Sequence, residues 1–376
     1  MKAPEEIFRS SDSVGQIGLI TTKGATELAQ RVDAHLLRWS GRNPEKRTYL
    51  IEAGCPRFSS GDSKGMISES VRGQDLYFLV DVGNYGCTYD LFGIKNRMSP
   101  DDHYQDLKRL IQAAGGKAHR LTVIMPLLYG GRQHRRAFRE SLDGAWMLKE
   151  LNSMGVSNII TFDAHDPNIQ NAVPLMGFDN VIPYYQALKT LKKSFPDLVY
   201  TKDKFMMVSP DEGAMNRNMY YASVLGVDLG MFYKRRDYSR MVNGHNPIVA
   251  HEYLGSSVTG RDIFITDDII SSGESMLDIA CELKKHNARH IYCFATYGMF
   301  TNGLDAFDRA YEAGTISGIL TTNLTYRTPD LLNRPWFHEV DVSGYVAYLI
   351  TAVNHEQSVS SIIDPHAKIE ALMGRG

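Results

Sequence analysis

The segment RDIFITDDIISSGESMLDIA, residues 261–280, orders an apolar strand, two aspartates, a small polar turn and an amphipathic helix. Ser271, Ser272, Gly273 and Ser275 place hydroxyls and unhindered backbone N–H groups where that helix begins. Orphan amide donors and the helix macrodipole favour an anion at such a point, and a sugar phosphate suits the cup. Asp267 and Asp268, at the carboxyl end of the strand, can accept hydrogen bonds from vicinal ribose hydroxyls or hold a hydrated magnesium ion. The competing reading is structural: Ser271 or Ser272 only caps the helix.

This order of strand, acidic pair and loop resembles the phosphoribosyl pyrophosphate motif of type I phosphoribosyltransferases and ribose-phosphate pyrophosphokinases. Further stretches point to the second group. RFSSGDSKGMISESVRGQDLYFLV (57–80) is similar to its nucleotide-contacting hairpin, YGGRQHRR (129–136) to its ATP loop, and ITFDAHDPNIQ (160–170) to its metal- and ATP-binding segment. MVSPDEGAMNR (207–217), FYKRRD (232–237) and QSVSSII (357–363) resemble the second-half metal segment, the start of the catalytic flexible loop and the terminal SVSS sequence. The matches follow the family's order across residues 15–364.

The resemblance implies transfer of the β,γ-diphosphoryl group of ATP to the anomeric hydroxyl of ribose 5-phosphate, with Mg2+ as cofactor and AMP as the second product. Two polyanions repel, so metal and cations must hold them in line while charge moves to the leaving oxygen. It assigns Lys234 and Arg236 as catalytic cations, with His165 contacting ATP and the magnesium shell and Asp211 as the matching metal carboxylate on the ribose-phosphate side. ATP contacts fall to Phe58, Ser60, Asp62, Arg132, Gln133 and His165. Ribose phosphate falls to Asp211, Asp267, Asp268, Ser271, Ser272, Gly273 and Ser275. By residue type alone the readings are blander: a satisfied strand-end histidine at 165, a helix N-cap at 211, a core ring at 58 and a solvated charge run at 234–240. Lys234 and Arg236, alternate residues leaving a strand, are expected on one side of it. The polar stretch 237–260 is expected to close over the phosphates.

Departures from the pattern touch specificity. His134 stands where the family usually has Asp, and Ser60 and Asp62 replace an Asp and a Glu. Ser271 replaces an Asp, and Glu274 stands where Gly is usual, beside the expected 5-phosphate. A glutamate in the first turn complements the macrodipole provided it points away from the cup. Three rivals follow: a non-catalytic regulatory homologue, a phosphoribosyltransferase, and diphosphoryl transfer to a different ribosyl phosphate.

Short β-branched and aromatic runs alternating with helical periods must position these residues, the mark of parallel α/β architecture. Strands are expected at 17–22, 48–53, 75–81, 121–126 and 158–163, then at 205–209, 228–233, 262–267, 290–296 and 317–323. Met276, Ile279, Ala280 and Leu283, and likewise Leu142, Ala145, Leu148 and Leu151, form helical stripes for a core. The fold class is therefore α/β: two phosphoribosyltransferase-like domains, each a mainly parallel sheet flanked by helices, at 14–184 and 185–364, with the active site expected between them.

The composition fits such a chain. With 376 residues, 43% hydrophobic and 22% charged, it buries sizeable cores, and disorder or a collagen-like structure is excluded. A net charge of −2 provides no overall field for nucleic acid. Four scattered cysteines without a CxxC pair form neither a disulfide framework nor a zinc knuckle. No leader or membrane span is apparent, so a cytoplasmic protein is expected. The resemblance further implies a homo-oligomer built from dimers, a hexamer among the options.

Overall fold

The computed structural model describes residues 2–10, 12–41, 47–136, 138–236 and 248–374, with the side chains of residues 10, 234–236 and 248–251 outside that description. The chain forms two compact units. The first comprises Met1–Pro183 with Asn323–Tyr326 and Asp341–Asp364, and the second Tyr184–Thr322 with Arg327–Val340 and Pro365–Gly376. Residues 341–364, contiguous with the second half in sequence, thus belong to the first unit. The cause is helix Ser343–Asn354, buried on nearly every face, which packs on helix Thr26–Trp39.

In the first unit the strands are β1 (Ile17–Thr21), β2 (Ala53–Gly54), β3 (Met66–Ile67), β4 (Asp75–Leu79), β5 (Thr88–Leu91), β6 (Ile94–Arg97), β7 (Arg120–Ile124), β8 (Asn158–Phe162) and β9 (Gly177–Val181). A five-stranded parallel sheet runs β1-β4-β7-β8-β9, while β2–β3 and β5–β6 are antiparallel pairs. Every residue of β4 is buried, as a parallel strand covered on both faces requires. The strand expected at 48–53 reduces to a bridge from Leu50 to Leu19 and the short β2. The Asp33 carboxylate takes the donors there, from Tyr49 N at 2.7 Å and Thr48 Oγ1 at 2.8 Å. β9, reading GFDNV, was not expected and completes the sheet instead.

The second unit holds β10 (Phe205–Ser209), β11 (Asp228–Arg236), β12 (Ile248–Leu254), β13 (Asp262–Ile270), β14 (Ile291–Gly298), β15 (Gly318–Thr322) and β16 (Phe337–Val340). They form one sheet, β12-β11-β10-β13-β14-β15-β16, parallel except for β12. Met276, Ile279, Ala280 and Leu283 are all buried on this sheet. In the 143–153 helix the stripe is Gly144, Met147, Leu148 and Leu151, so Leu142 and Ala145 stand at its margin. All four cysteines are free thiols. No helix among the described residues is long and apolar enough to cross a membrane.

Candidate active site

In the second unit, β10 pairs with β13 only as far as Val208↔Ile265. Asp267 and Asp268 lie just past that pairing, inside β13 rather than at its end, because the ladder to β14 continues to Ile270↔Gly298. The Asp267 carboxylate accepts the Asp268 N–H at 2.8 Å and lies 3.7 Å from the Arg217 guanidinium. Its side chain keeps 27% of its surface toward solvent. Burial first, and Asp268 second, push Asp267 up to about 8, against the pull of Arg217, with Asp211 adding a smaller upward push.

The turn after β13 is held from one side. Met299 N donates to the Ile270 carbonyl at 2.8 Å and Thr301 N to that of Ser271 at 2.9 Å. Gly273, at φ +87°, is the N-cap of helix Glu274–Lys285, and no side chain caps that helix. A Cβ at 273 would overlap the Phe307 ring, so glycine is required by both conformation and space. Ser272 Oγ accepts the Glu274 N–H at a long 3.4 Å, the one trace of the capping reading. Ser271, Ser272 and Ser275 are at least partly accessible around this turn. Glu274 points to Asn302, whose amide donates to Oε1 at 3.2 Å, so its charge is engaged beside the cup.

Asp211 does serve the following helix, Met215–Leu225: its Oδ1 accepts the Ala214 N–H at 3.1 Å. Behind it, Asn218 donates to the Thr266 carbonyl at 2.9 Å and accepts from Thr266 Oγ1 at 2.9 Å, tying the helix to β13. Arg217 and Asn218 were not singled out from the sequence. The available signal was a cation and an amide on the inner face of an otherwise apolar helix.

In the first unit, Asp163 leaves β8 at φ +48° and is buried, its N–H donating to the Val181 carbonyl at 2.8 Å. That turn presents His165 at the surface. The His134 ring lies 5.6 Å from the His165 ring, and its Nε2 is 3.5 Å from Asp166 Oδ2. The loops 129–136 and 163–166 are thus neighbours, and His134 sits beside His165. Arg132 is exposed, whereas the Gln133 amide donates to the carbonyls of Arg135 at 3.3 Å and Ser141 at 3.0 Å and so braces its own loop.

The hairpin 57–63 closes with Phe58 N donating to the Asp62 carbonyl at 2.7 Å, and Ser60 Oγ donates to Asp62 Oδ2 at 3.1 Å. Phe58 is 51% exposed, so it is not a core ring. Among the described residues, Phe58, Ser60 and Asp62 make no hydrogen bond or ion pair to Arg132 or Gln133. Lys234 and Arg236 fall on β11, where the register to β12 shifts between Arg235 and Arg236. The residue skipped at that shift is Val249, on β12, and β11 runs on without an insertion. The side chains of Lys234 and Arg236 and the loop 237–247 lie outside the described residues.

Among the described residues no group of three or more His, Cys, Asp or Glu side chains is gathered to hold a metal. One imidazole and a few carboxylates fit magnesium bound through waters and substrate phosphates, as that ion prefers, rather than in an all-protein cage.

Residues 17–155 match the model of the N-terminal domain of ribose phosphate pyrophosphokinase, and residues 187–308 match the phosphoribosyl transferase domain. The chain belongs to the ribose-phosphate pyrophosphokinase family. The ribose-phosphate pyrophosphokinase of Pasteurella multocida is 26% identical over 354 residues, spanning 92% of this chain and 98% of that protein. Ribose-phosphate pyrophosphokinase A of Dictyostelium discoideum is 24% identical over 318 residues, 83% of this chain and 90% of the relative. The phosphoribosylpyrophosphate synthetase of Mycobacterium smegmatis shares the fold, with a TM-score of 0.72 at 21% identity over 90% of this chain and 98% of that one.

Proposed function

We propose that the chain is a ribose-phosphate diphosphokinase, moving the diphosphoryl group of ATP to the C1 hydroxyl of ribose 5-phosphate for nucleotide biosynthesis. The carrying observation is one chain that matches both the family's N-terminal domain and a phosphoribosyl transferase domain whose β13 turn leaves a helix N-terminus uncapped. A phosphoribosyltransferase has no use for the 57–63 hairpin or the 129–136 loop. The engagement of Glu274 by Asn302 favours ribose 5-phosphate over a different acceptor, since the added charge is held beside the cup.

In this reading the turn 271–275 holds the 5-phosphate through N–H and hydroxyl donors, and Asp267 and Asp268 accept the ribose hydroxyls. Phe58 offers a ring face to the base, Ser60 and Asp62 its polar partners, and Arg132 and Gln133 contact ATP. His165 and Asp211 are the groups each unit would offer to Mg2+, which when bound would offset charge on the phosphate oxygens. Lys234 and Arg236 meet the charge that develops during transfer, where preorganised cations act most strongly. The enzyme assembles from dimers into a homo-oligomer, up to a hexamer, and free thiols suit a cytoplasmic setting.

Purified protein incubated with ATP, Mg2+ and ribose 5-phosphate should release AMP, and EDTA should stop the release. AMP formation that ignores ribose 5-phosphate, or none with it, would overturn the assignment.

A further inference from the structure

β5 and β6 stand outside the five-stranded sheet and pair only with each other, joined by Phe92 and Gly93. Both joining residues sit at positive φ, +52° and +74°, as in the two-residue turns whose twist matches a hairpin. The base of the pair is fixed by the Lys23 ammonium, which donates to the Thr88 carbonyl at 2.9 Å, and by Met98 N, which donates to that of Cys87 at 2.8 Å. Alternation along β5 puts Tyr89 and Leu91 on one face and Asp90 on the other. Asp90 is exposed, whereas Tyr89 and Leu91 are half-buried against the 57–63 hairpin.

The Arg57 guanidinium, at the base of that hairpin, lies 4.0 Å over the centre of the Tyr89 ring, a cation on the negative face of a π-system. Its Nη1 donates to the Gly61 carbonyl at 3.0 Å across the hairpin, and its Nη2 to Asp102 Oδ1 at 3.3 Å on helix Pro100–Ala114. The side chain is only 14% exposed, so the ring and its acceptors enclose it. Gly61, at φ +98°, makes the turn, and Leu91 covers it: a Cβ there would stand 3.1 Å from Leu91 Cδ1. One strand thus holds the hairpin at its base and at its tip. Phe58 and Ser60 lie between the two held residues.

We propose that the β5–β6 pair is a brace for the 57–63 hairpin, and that Tyr89 and Leu91 are positioning residues for ATP. The inference rests on the reading of that hairpin as ATP-contacting, and it holds equally for a nucleotide bound by a second copy of the chain. A group that only orients a remote part of a substrate changes binding more than the chemical step, so its loss raises KM with kcat nearly unchanged.

The test uses the full-length enzyme, steady-state kinetics in both substrates and amide hydrogen exchange. Tyr89→Ala should raise KM for ATP about fivefold, with kcat and KM for ribose 5-phosphate near the parent values, and should speed exchange within 57–63. Tyr89→Phe, which keeps the ring, should match the parent in every respect, as should Asp90→Ala on the opposite face. Leu91→Ala should raise KM for ATP about threefold, and as the milder change it keeps the test open should Tyr89→Ala fold poorly. A loss in Tyr89→Phe equal to that in Tyr89→Ala, or a parallel rise in KM for ribose 5-phosphate, overturns the brace. Phe58→Ala separates the two levels of the reading. If it leaves KM for ATP unchanged, the ATP reading of the hairpin fails and the positioning role with it. If it raises KM while Tyr89→Ala and Leu91→Ala alter neither KM nor exchange in 57–63, the brace alone fails.

Discussion

The sheets of the two units share one plan. β1-β4-β7-β8-β9 and β10-β13-β14-β15-β16 are the same five-strand parallel order. Each begins its second strand with a fully buried aspartate forked by an arginine at, or two residues before, the start of the next. Arg120 holds Asp75 at 2.9 and 2.7 Å, and Arg289 Nε holds Asp262 at 2.7 Å. What differs is the loop that follows. After β4, Asp81 accepts the Gly83 N–H, Asn84 accepts the Gly86 N–H, each at 2.9 Å, and the Asn84 amide donates to the Gly24 carbonyl at 2.7 Å. That loop engages its polar groups within the protein, on itself and on neighbouring segments. After β13 the helix is uncapped, so its donors remain for a ligand. The second sheet also extends its edge by a long β11–β12 pair, where the first has only β2 and β3. The two units thus share one scaffold and differ in how the loop after the second strand is bonded and in how far the sheet edge extends.

If the lengthened edge supplies the cation, removing it should have the largest effect. Lys234→Ala is expected to lower kcat by about 10²–10³, the range for losing one preorganised transition-state partner, with little loss of ATP affinity. Rapid-quench turnover beside nucleotide binding checks this. Equal loss of both contradicts a role in transfer.

The shared aspartate–arginine device makes a second test. Asp75 also accepts from Tyr77 at 2.7 Å and from Asn354 at 2.8 Å, so it clamps the 343–354 helix. Asp75→Asn should cost about 3 kcal/mol, as breaking a buried pair does. Asp262→Asn should cost less, because Arg289 is 45% exposed and water screens the partner left behind. Urea unfolding of both variants decides; a larger loss at 262 would mean that the two devices are not equivalent.

The open loop can be broken by one methyl group. Gly273→Ala imposes a side chain at φ +87° against Phe307, and overpacking of this kind costs about 1–3 kcal/mol. The strain falls on the turn itself, so KM for ribose 5-phosphate should rise roughly tenfold, in line with that energy. KM for ATP should stay near the parent value; a parallel rise would locate the damage elsewhere.

Much of this plan is legible in sequence where the physics is local. The interior strands at 75–79, 205–209 and 291–298 are runs of buried side chains, which a strand covered on both faces must be. The β13 turn is legible because serines, a glycine and an acidic pair state their chemistry by type. The strand expected at 48–53 is cut to a short pairing with Leu19 because Asp33, sixteen residues before Tyr49, captures the Tyr49 backbone N–H. β9 and β16 were missed because GFDNV and FHEV mix polar residues into short edge strands. Arg217 and Asn302 act on Asp267 and Glu274 across the fold, and no spacing in the chain announces either pairing.

The Asn302–Glu274 bond offers the smallest and sharpest test of how the second loop stays open. Asn302→Ala releases the Glu274 carboxylate, which at the first turn of the 274–285 helix is free to swing toward the phosphate. Unit charges 4 Å apart in water repel by about 1 kcal/mol, so KM for ribose 5-phosphate should rise only a few-fold. Glu274→Gln in the same background should return KM to the parent value, because the neutral amide has no charge to bring. A rise that survives Glu274→Gln would make Asn302 a packing residue of the 299–303 turn, and no rise at all would mean that Glu274 keeps clear of the cup without help. Suppression by Glu274→Gln is the outcome that only an electrostatic guard produces.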